Sequence, residues 1–250
     1  IVYTRSTPRT RDVFRIKDEI NLPKGKPNID TILYYEMTPQ NLQTRLLEDS
    51  VRITGDLHVF VLYVPVDEEH RMEYLETECS IDSLVSCSGC NEQMIPDISF
   101  QPQCGTMEAK PDEDGEQRIL ELELPVNITM KFYEDVELSI LSDAYSTACE
   151  LTLSRQPVHF ERLLLKTQNV IRVSEQIKAD ENQDKILQIC TASGRVQIDE
   201  QEIQENGIAL EGVVELDILY VTENDDRPLG SLRAAIPFQH FMEIKGISQK

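Results

Sequence analysis

The sequence predicts an all-β protein: tandem sandwich- or barrel-like repeats with a β-rich middle region. Three stretches carry that prediction. In the first, Val51, Ile53, Gly55, Leu57, Val59, Val61 and Tyr63 alternate with Arg52, Thr54, Asp56 and His58. An extended chain points successive side chains to opposite faces, so period two marks a half-buried strand. The second stretch repeats the first, with Ile208, Leu210, Gly212, Val214, Leu216, Ile218 and Tyr220 on one side. The third runs Leu120, Leu122, Leu124, Val126, Ile128, Met130 and Phe132, with Glu121, Glu123, Asn127, Thr129 and Lys131 between them.

The first two stretches are copies. Gly55, Leu62, Tyr63 and Val64 correspond to Gly212, Leu219, Tyr220 and Val221, and both 212 − 55 and 220 − 63 equal 157. The same offset carries Val13 to Val170, Arg15 to Arg172, Ile20 to Ile177, Leu75 to Leu232 and Gly89 to Gly246. Around Ile32 and Ile186 alone the alignment calls for a local three-residue shift. A repeat of this kind decides architecture. It divides the chain into a basic arm at 1–12, repeat 1 at 13–90, a β-rich middle at 91–169 and repeat 2 at 170–247.

Taken in order, Arg5, Arg9 and Arg11 precede the first acid, Asp12, which gives the arm its charge. It is expected either as a flexible tail or as an assembly arm that docks on an acidic neighbour. Val13, Phe14, Ile16 and Ile20 then form an approach segment, matched by Val170 to Asp180. Short apolar runs at Ile32–Tyr35 and Ile186–Ile189 suit strands. A polar strand follows in each copy and turns into the long strand at Asp49-Ser50 or Asn206-Gly207, the latter a pair suited to positive φ. A glycine on the inward face of the long strand (Gly55, Gly212) implies a bulge, a bend or a close backbone approach. Acidic tips at Asp67–Glu69 and Glu223–Asp226 lead to a return strand bearing Leu75, Thr77, Cys79 and Ile81, or Leu232, Ala234, Ile236 and Phe238. Each copy thus reads as about five hairpin-connected strands.

In the middle region, Pro111 to Gly115 reads as a hairpin tip. Pro125 inside the third stripe argues for an edge or a bulge there. Leu138, Ile140, Leu151 and Leu153 continue the apolar pattern. A degenerate third copy, with Phe132 in the place of Tyr220, is one alternative for this region.

Composition narrows the function. The formal net charge is −21, from 45 acidic and 24 basic residues. Such a field repels phosphate backbones, which excludes nucleic acid as a partner, and it disfavours anionic membrane surfaces. No apolar run approaches the roughly 18 residues of a membrane helix, so membrane insertion is not expected.

Six cysteines are not spaced as a disulfide scaffold for a chain of this size. Cys87-Ser-Gly-Cys90 with Cys79 and Cys104 could supply four thiolates for zinc, or a redox pair. Against this, 79, 87 and 90 map onto Ile236, Ile244 and Ile247, and cysteine in an apolar slot behaves as a small hydrophobe. Buried thiols are the favoured reading, with no cofactor. No histidine recurs between the copies: His58 maps to Glu215, His70 to Arg227 and His240 to Ser83, while His159 lies in the middle. The motifs of nucleotide-binding loops, serine hydrolases and zinc proteases are missing. What repeats is apolar alternation, glycine and the Leu-Tyr-Val ending, which points to a scaffold rather than an enzyme.

The phrase from Gly212 through Leu219-Tyr220-Val221, an acidic tip, and Ala235-Ile-Pro-Phe238-Gln-His-Phe241-Met-Glu-Ile244 resembles the signature of SPOCS domains. Asp143-Ala-Tyr145-Ser is similar to the segment between two such domains. The first copy departs from the pattern where Cys79-Ser-Ile81-Asp stands for Ile236-Pro-Phe238-Gln. The resemblance implies a non-catalytic structural role in endospore-forming bacteria. The expected place is the mother-cell cytoplasm during sporulation and then the spore coat or envelope. The expected partners are other spore-coat proteins and the chain itself, as a homo-oligomer or polymer. Some relatives carry a C-terminal LysM module, of which this sequence shows none. A carbohydrate-binding module for peptidoglycan is the alternative; the lack of any Trp and an aromatic content of 6% count against it.

Overall fold

In the computed structural model the described residues form eleven strands in three antiparallel sheets. The structure describes residues 1–66, 72–145, 147–150, 152, 154, 156–178, 184–224 and 226–247. The expected tip at Asp67–Glu69, His70, Leu151 and Leu153 lie outside them. Among the described residues no helix is long and apolar enough to cross a membrane.

The strands are β1 (Val2–Ser6), β2 (Thr10–Asn21), β3 (Ile29–Leu47), β4 (Ser50–Pro65), β5 (Glu73–Ser86), β6 (Ile95–Pro102), β7 (Thr106–Pro111), β8 (Gln117–Glu137), β9 (Ile186–Gln204), β10 (Gly207–Thr222) and β11 (Leu229–Glu243). Residues 1–166 form one compact unit and residues 167–250 a second.

The predicted stripes at 51–63 and 208–220 are the middle strands of two meanders, β3-β4-β5 and β9-β10-β11. Each copy contributes three strands to its sheet, not five. The meanders superpose in sequence without the expected local shift, since 186 − 29 and 207 − 50 both equal 157. The reason is that their irregularities coincide. Breaks in register fall at Asp30, Leu33 and Asn41–Leu42 in β3, and at Leu187, Cys190 and Asp199 in β9. A bulge adds one residue to one strand, and bulges at matching places keep the two chains in phase.

β8 is the centre of the remaining sheet. One of its sides pairs with β2 along 119–130 and with β1 along 133–137. Its other side pairs with β7 along 117–123 and with β6 along 126–133. Pro125 falls where β7 has ended and β6 has not yet begun. Proline has no N–H to give to a ladder, and here none is asked for on that side. The expected edge or bulge is instead a change of partner in a central strand. This sheet does not have the strand order of the meanders, so the middle region is not a third copy of them.

Residues 1–12, expected as a flexible arm, are β1 and the first turnings of β2. Thr7 closes the gap between these strands: its amide donates to the Phe132 carbonyl, 2.9 Å, and its hydroxyl oxygen accepts from the Phe132 amide, 3.0 Å. The arm is ordered because β8 extends past the end of β2 and leaves backbone groups to pair.

Repeat 1 and the middle region share a single core. Val51, Ile53, Leu57, Val59, Val61 and Tyr63 of β4, with Leu120 to Phe132 of β8, belong to one contiguous cluster, joined by Phe14 and Ile16 of β2. Two sheets, each with one apolar face, cover each other, and a fully buried aliphatic contributes about 1.5–3 kcal/mol. In the second unit residues 170–178 form no strand, although they correspond to β2. β2 is held by β8, and among the described residues of the second unit nothing plays that part.

Candidate functional site

The repeated glycines lie under carbonyls. Between Gln40↔Asp56 and Gln43↔Thr54, β3 carries two residues where β4 has only Gly55. A Cβ placed on Gly55 would stand 2.8 Å from the Gln40 oxygen, and one on Gly212 would collide with the Gln197 oxygen. Gln40 and Gln197 are themselves 157 apart. The ending of the signature is structural too. Tyr63 is fully buried and its hydroxyl donates to the Pro27 carbonyl, 3.2 Å; Tyr220 is buried with its ring over Gly230. Leu62 is buried on the face of β4 away from the core, next to Phe60, whose ring lies 6.3 Å from Tyr34 and 5.9 Å from Tyr74. Val64 and Val221 are half-buried.

The turn before each long strand is tied to the segment after the return strand. Asp49 (φ 53°) and Asn206 (φ 62°) are the left-handed residues, so the turns are Glu48-Asp49 and Glu205-Asn206, one residue earlier than expected. Gly207 opens the next strand, where any Cβ would strike Phe241. The Asp49 amide donates to the Cys90 carbonyl at 3.0 Å, the Cys87 amide to the Asp49 carbonyl at 2.8 Å, and the Gly89 amide to the Asp49 carboxylate at 2.6 Å. In the other copy Asn206 makes the same bonds: its amide to the Ile247 carbonyl, 2.9 Å, its carbonyl from the Ile244 amide, 2.8 Å, and its side chain from the Gly246 amide, 3.5 Å. Gly89 and Gly246 have φ of 82° and 88°. Cys87-Ser-Gly-Cys90 is therefore one of a pair of turns, and Ile244 and Ile247 fill the equivalent places in the other.

A cavity of about 700 Å³ brings the two expected site groups together: Arg5 from the arm and Cys87 and Cys90 from the turn, with Met94, Phe132 and Glu134. Arg5 Nε donates to Glu134 Oε1 at 2.8 Å, so the arm docks on an acid within its own unit. Arg9 and Arg11 are exposed. Cys90 is almost fully buried and its thiol points at the Leu47 and Ser50 carbonyls, each 3.5 Å away. Burial, then Cys87, pushes its pKa up to about 11. A raised value keeps the thiol protonated at neutral pH and lowers its reactivity as a nucleophile. Cys79 stands apart on β5 beside Asp18, its pKa pushed up to about 12 by burial and then by that carboxylate. Cys104 is exposed. Among the described residues no three His, Cys, Asp or Glu side chains are placed to hold a metal ion.

A family model, described as SipL, SPOCS domain, matches residues 28–103 and 185–250. The two matches begin 185 − 28 = 157 residues apart and cover more than half of the chain. The chain belongs to the SPOCS-domain family. Neither a curated protein nor a solved structure matches it. The first SPOCS segment takes in β3 to β6 and the second β9 to β11. Family membership places the chain in the context of sporulation.

Outside the SPOCS signature the sequence hid one residue. Arg118 of β8 reaches into the loop after β2, donating through Nη1 to the Lys26 carbonyl (3.0 Å) and Asn28 Oδ1, and through Nη2 to the Pro23 carbonyl (2.8 Å). Its partners are mostly main-chain oxygens more than ninety residues away, and no side-chain pattern announces such a contact. His58 lies 2.9 Å from Glu76 Oε1 on the outer face of the first meander. His240 is beside Asn169 in the second unit, 3.3 Å between Nε2 and Nδ2.

Proposed function

We propose that this SPOCS protein is a non-catalytic structural component of the spore coat, working through contacts with coat proteins and with copies of itself. The supporting observation is where the duplicated residues are spent. Gly55 and Gly212 admit a carbonyl, Asp49 and Asn206 tie a turn, and Tyr63 and Tyr220 fill the ends of the sheets. The cavity that joins Arg5 with Cys87 and Cys90 holds an arginine already paired and a thiol already buried. The route is synthesis in the mother cell followed by deposition around the forespore.

A fluorescent fusion in sporulating cells tests this reading. A ring at the forespore periphery is expected, and it should survive Cys87→Ser with Cys90→Ser. Fluorescence spread evenly through the mother cell would overturn the structural role. A ring that survives while coat or cortex chemistry fails in the double variant would overturn the non-catalytic one.

A further inference from the structure

The second unit has a sheet face with the chemistry of a core and too little to cover it. Ile208, Leu210, Val214, Leu216 and Ile218 are only half-buried. Their counterparts Val51, Ile53, Leu57, Val59 and Val61 are each 0% exposed, because β8 and its neighbours lie over them. On β9, Val196 is 62% and Ile198 54% exposed. Along all three strands of this face, β9 through β11, the paired positions carry no Asp, Glu, Lys or Arg. The opposite face carries Glu200, Glu202, Glu211, Glu215 and Asp217.

The first unit shows which element is wanting. β2 lays Phe14, Ile16 and Ile20 inward and pairs with β8 along its length. Adding 157 gives Ile171, Val173 and Ile177, and these three are the half-buried residues between 170 and 178. Asn169, meeting His240, sets the start of this segment at the apolar face, since His240 pairs with Leu210. The β2 counterpart thus starts at this face with the three matching side chains half-buried, while its ladder is unmade. Its charge is unmade as well. Arg15 reaches Glu123 of β8 at 2.6 Å, but Arg172, the residue 157 further on, is exposed and has no ion pair among the described residues.

We propose that the second unit accepts a β-strand from a partner chain. The strand lies antiparallel along residues 170–178 and over the apolar face of β9-β10-β11, completing the sandwich that β8 completes in the first unit. Its chemistry follows from that template: apolar side chains at alternate positions over about ten residues, and a carboxylate on the outer face within reach of Arg172. Backbone pairing supplies the affinity and the alternate apolar positions the specificity, as in other strand-addition complexes. Arg172 adds a cross-strand charge pair. This rests on the reading of the protein as a contact module and names what it contacts.

The test uses the full chain and a fluorescent peptide of sequence 117–137, followed by anisotropy and by hydrogen exchange. Saturable binding with new protection at residues 170–178 is expected. Leu216→Asp should weaken it at least about tenfold, because a carboxylate is then buried against apolar side chains. Arg172→Glu, an exposed change that spares the core, should weaken it about threefold, and a peptide carrying Glu123→Lys should restore the loss. No binding, binding indifferent to Leu216→Asp, or new protection confined to residues 10–21 would each overturn the proposal. So would a dimer of the free chain abolished by Leu216→Asp, which would make the face a contact between copies. A failed peptide alongside an intact forespore ring sinks the strand and leaves the coat reading standing.

Discussion

The carbonyl oxygen of Gln40 sits against the α-carbon of Gly55, and that of Gln197 sits against Gly212. The same two residue types meet at the same bulge in both meanders. Gly55→Ala should therefore destabilise the first unit by about 1–3 kcal/mol, the usual cost of forcing an atom into a filled site. Urea unfolding measures it. A variant as stable as the parent would mean that the bulge relaxes freely.

Asp49 combines a left-handed backbone with a carboxylate that receives the Gly89 amide. Replacing it by Ala loses a hydrogen bond worth about 1 kcal/mol and places an alanine at φ 53°, where it is disfavoured. Asp49→Asn should be nearly silent, since Asn206 does the same work in the other copy. Equal losses for both substitutions would show that charge, not the turn, is what matters.

Arg118→Met keeps most of the side chain's bulk and removes its donors to the 22–28 loop. A loss of about 1.5–3 kcal/mol is expected, in the range of hydrogen bonds made by charged groups. Tryptic cleavage after Lys24 should quicken with it, and an unchanged digestion pattern would argue against the clamp.

Lys17 and then Arg15, both hydrogen-bonded to Glu123, hold its carboxyl below the ordinary 4.5. A folded-state value below the unfolded one stabilises the protein above the unfolded value, and that contribution is lost as pH falls through the folded one. Melting temperatures of the parent and of Glu123→Gln should differ at neutral pH and converge in acid. A gap that persists in strong acid would assign the effect to something other than the charge.

The thiols should sort by burial. Iodoacetamide at about pH 8 needs a thiolate, so the exposed Cys104 and Cys149 should react first, while Cys79 and Cys90 wait for unfolding. Their raised values also work in the other direction: a proton bound more tightly in the fold stabilises it at low pH. That part is lost as pH climbs from about 9 to about 12 for Cys79. Rapid labelling of Cys90 in the folded chain would reopen the redox reading.

Alternation at 51–63, 120–132 and 208–220 is a local property, and all three strands were legible from it. So was the close approach at Gly55, because a glycine at an inward position of an apolar stripe marks a place with no room for a side chain. The pairing of those strands was not legible. β4 and β8 look alike in sequence, and nothing in either says that one covers the other. The arm shows the same limit: Val2 to Ser6 is too short and polar to declare itself a strand, and only the length of β8 makes it one. At the cysteine turn, the isoleucines of the second copy speak for packing without any distance in hand.

A consequence of the central strand concerns synthesis on the ribosome. β2 ends at residue 21, and the part of β8 that pairs with it is complete only at residue 130. The intervening 130 − 21 = 109 residues take roughly 5–22 s to make at 5–20 residues per second. Throughout that interval Phe14 and Ile16 have no ladder to join, and the nascent chain depends on its first meander to stay out of aggregates.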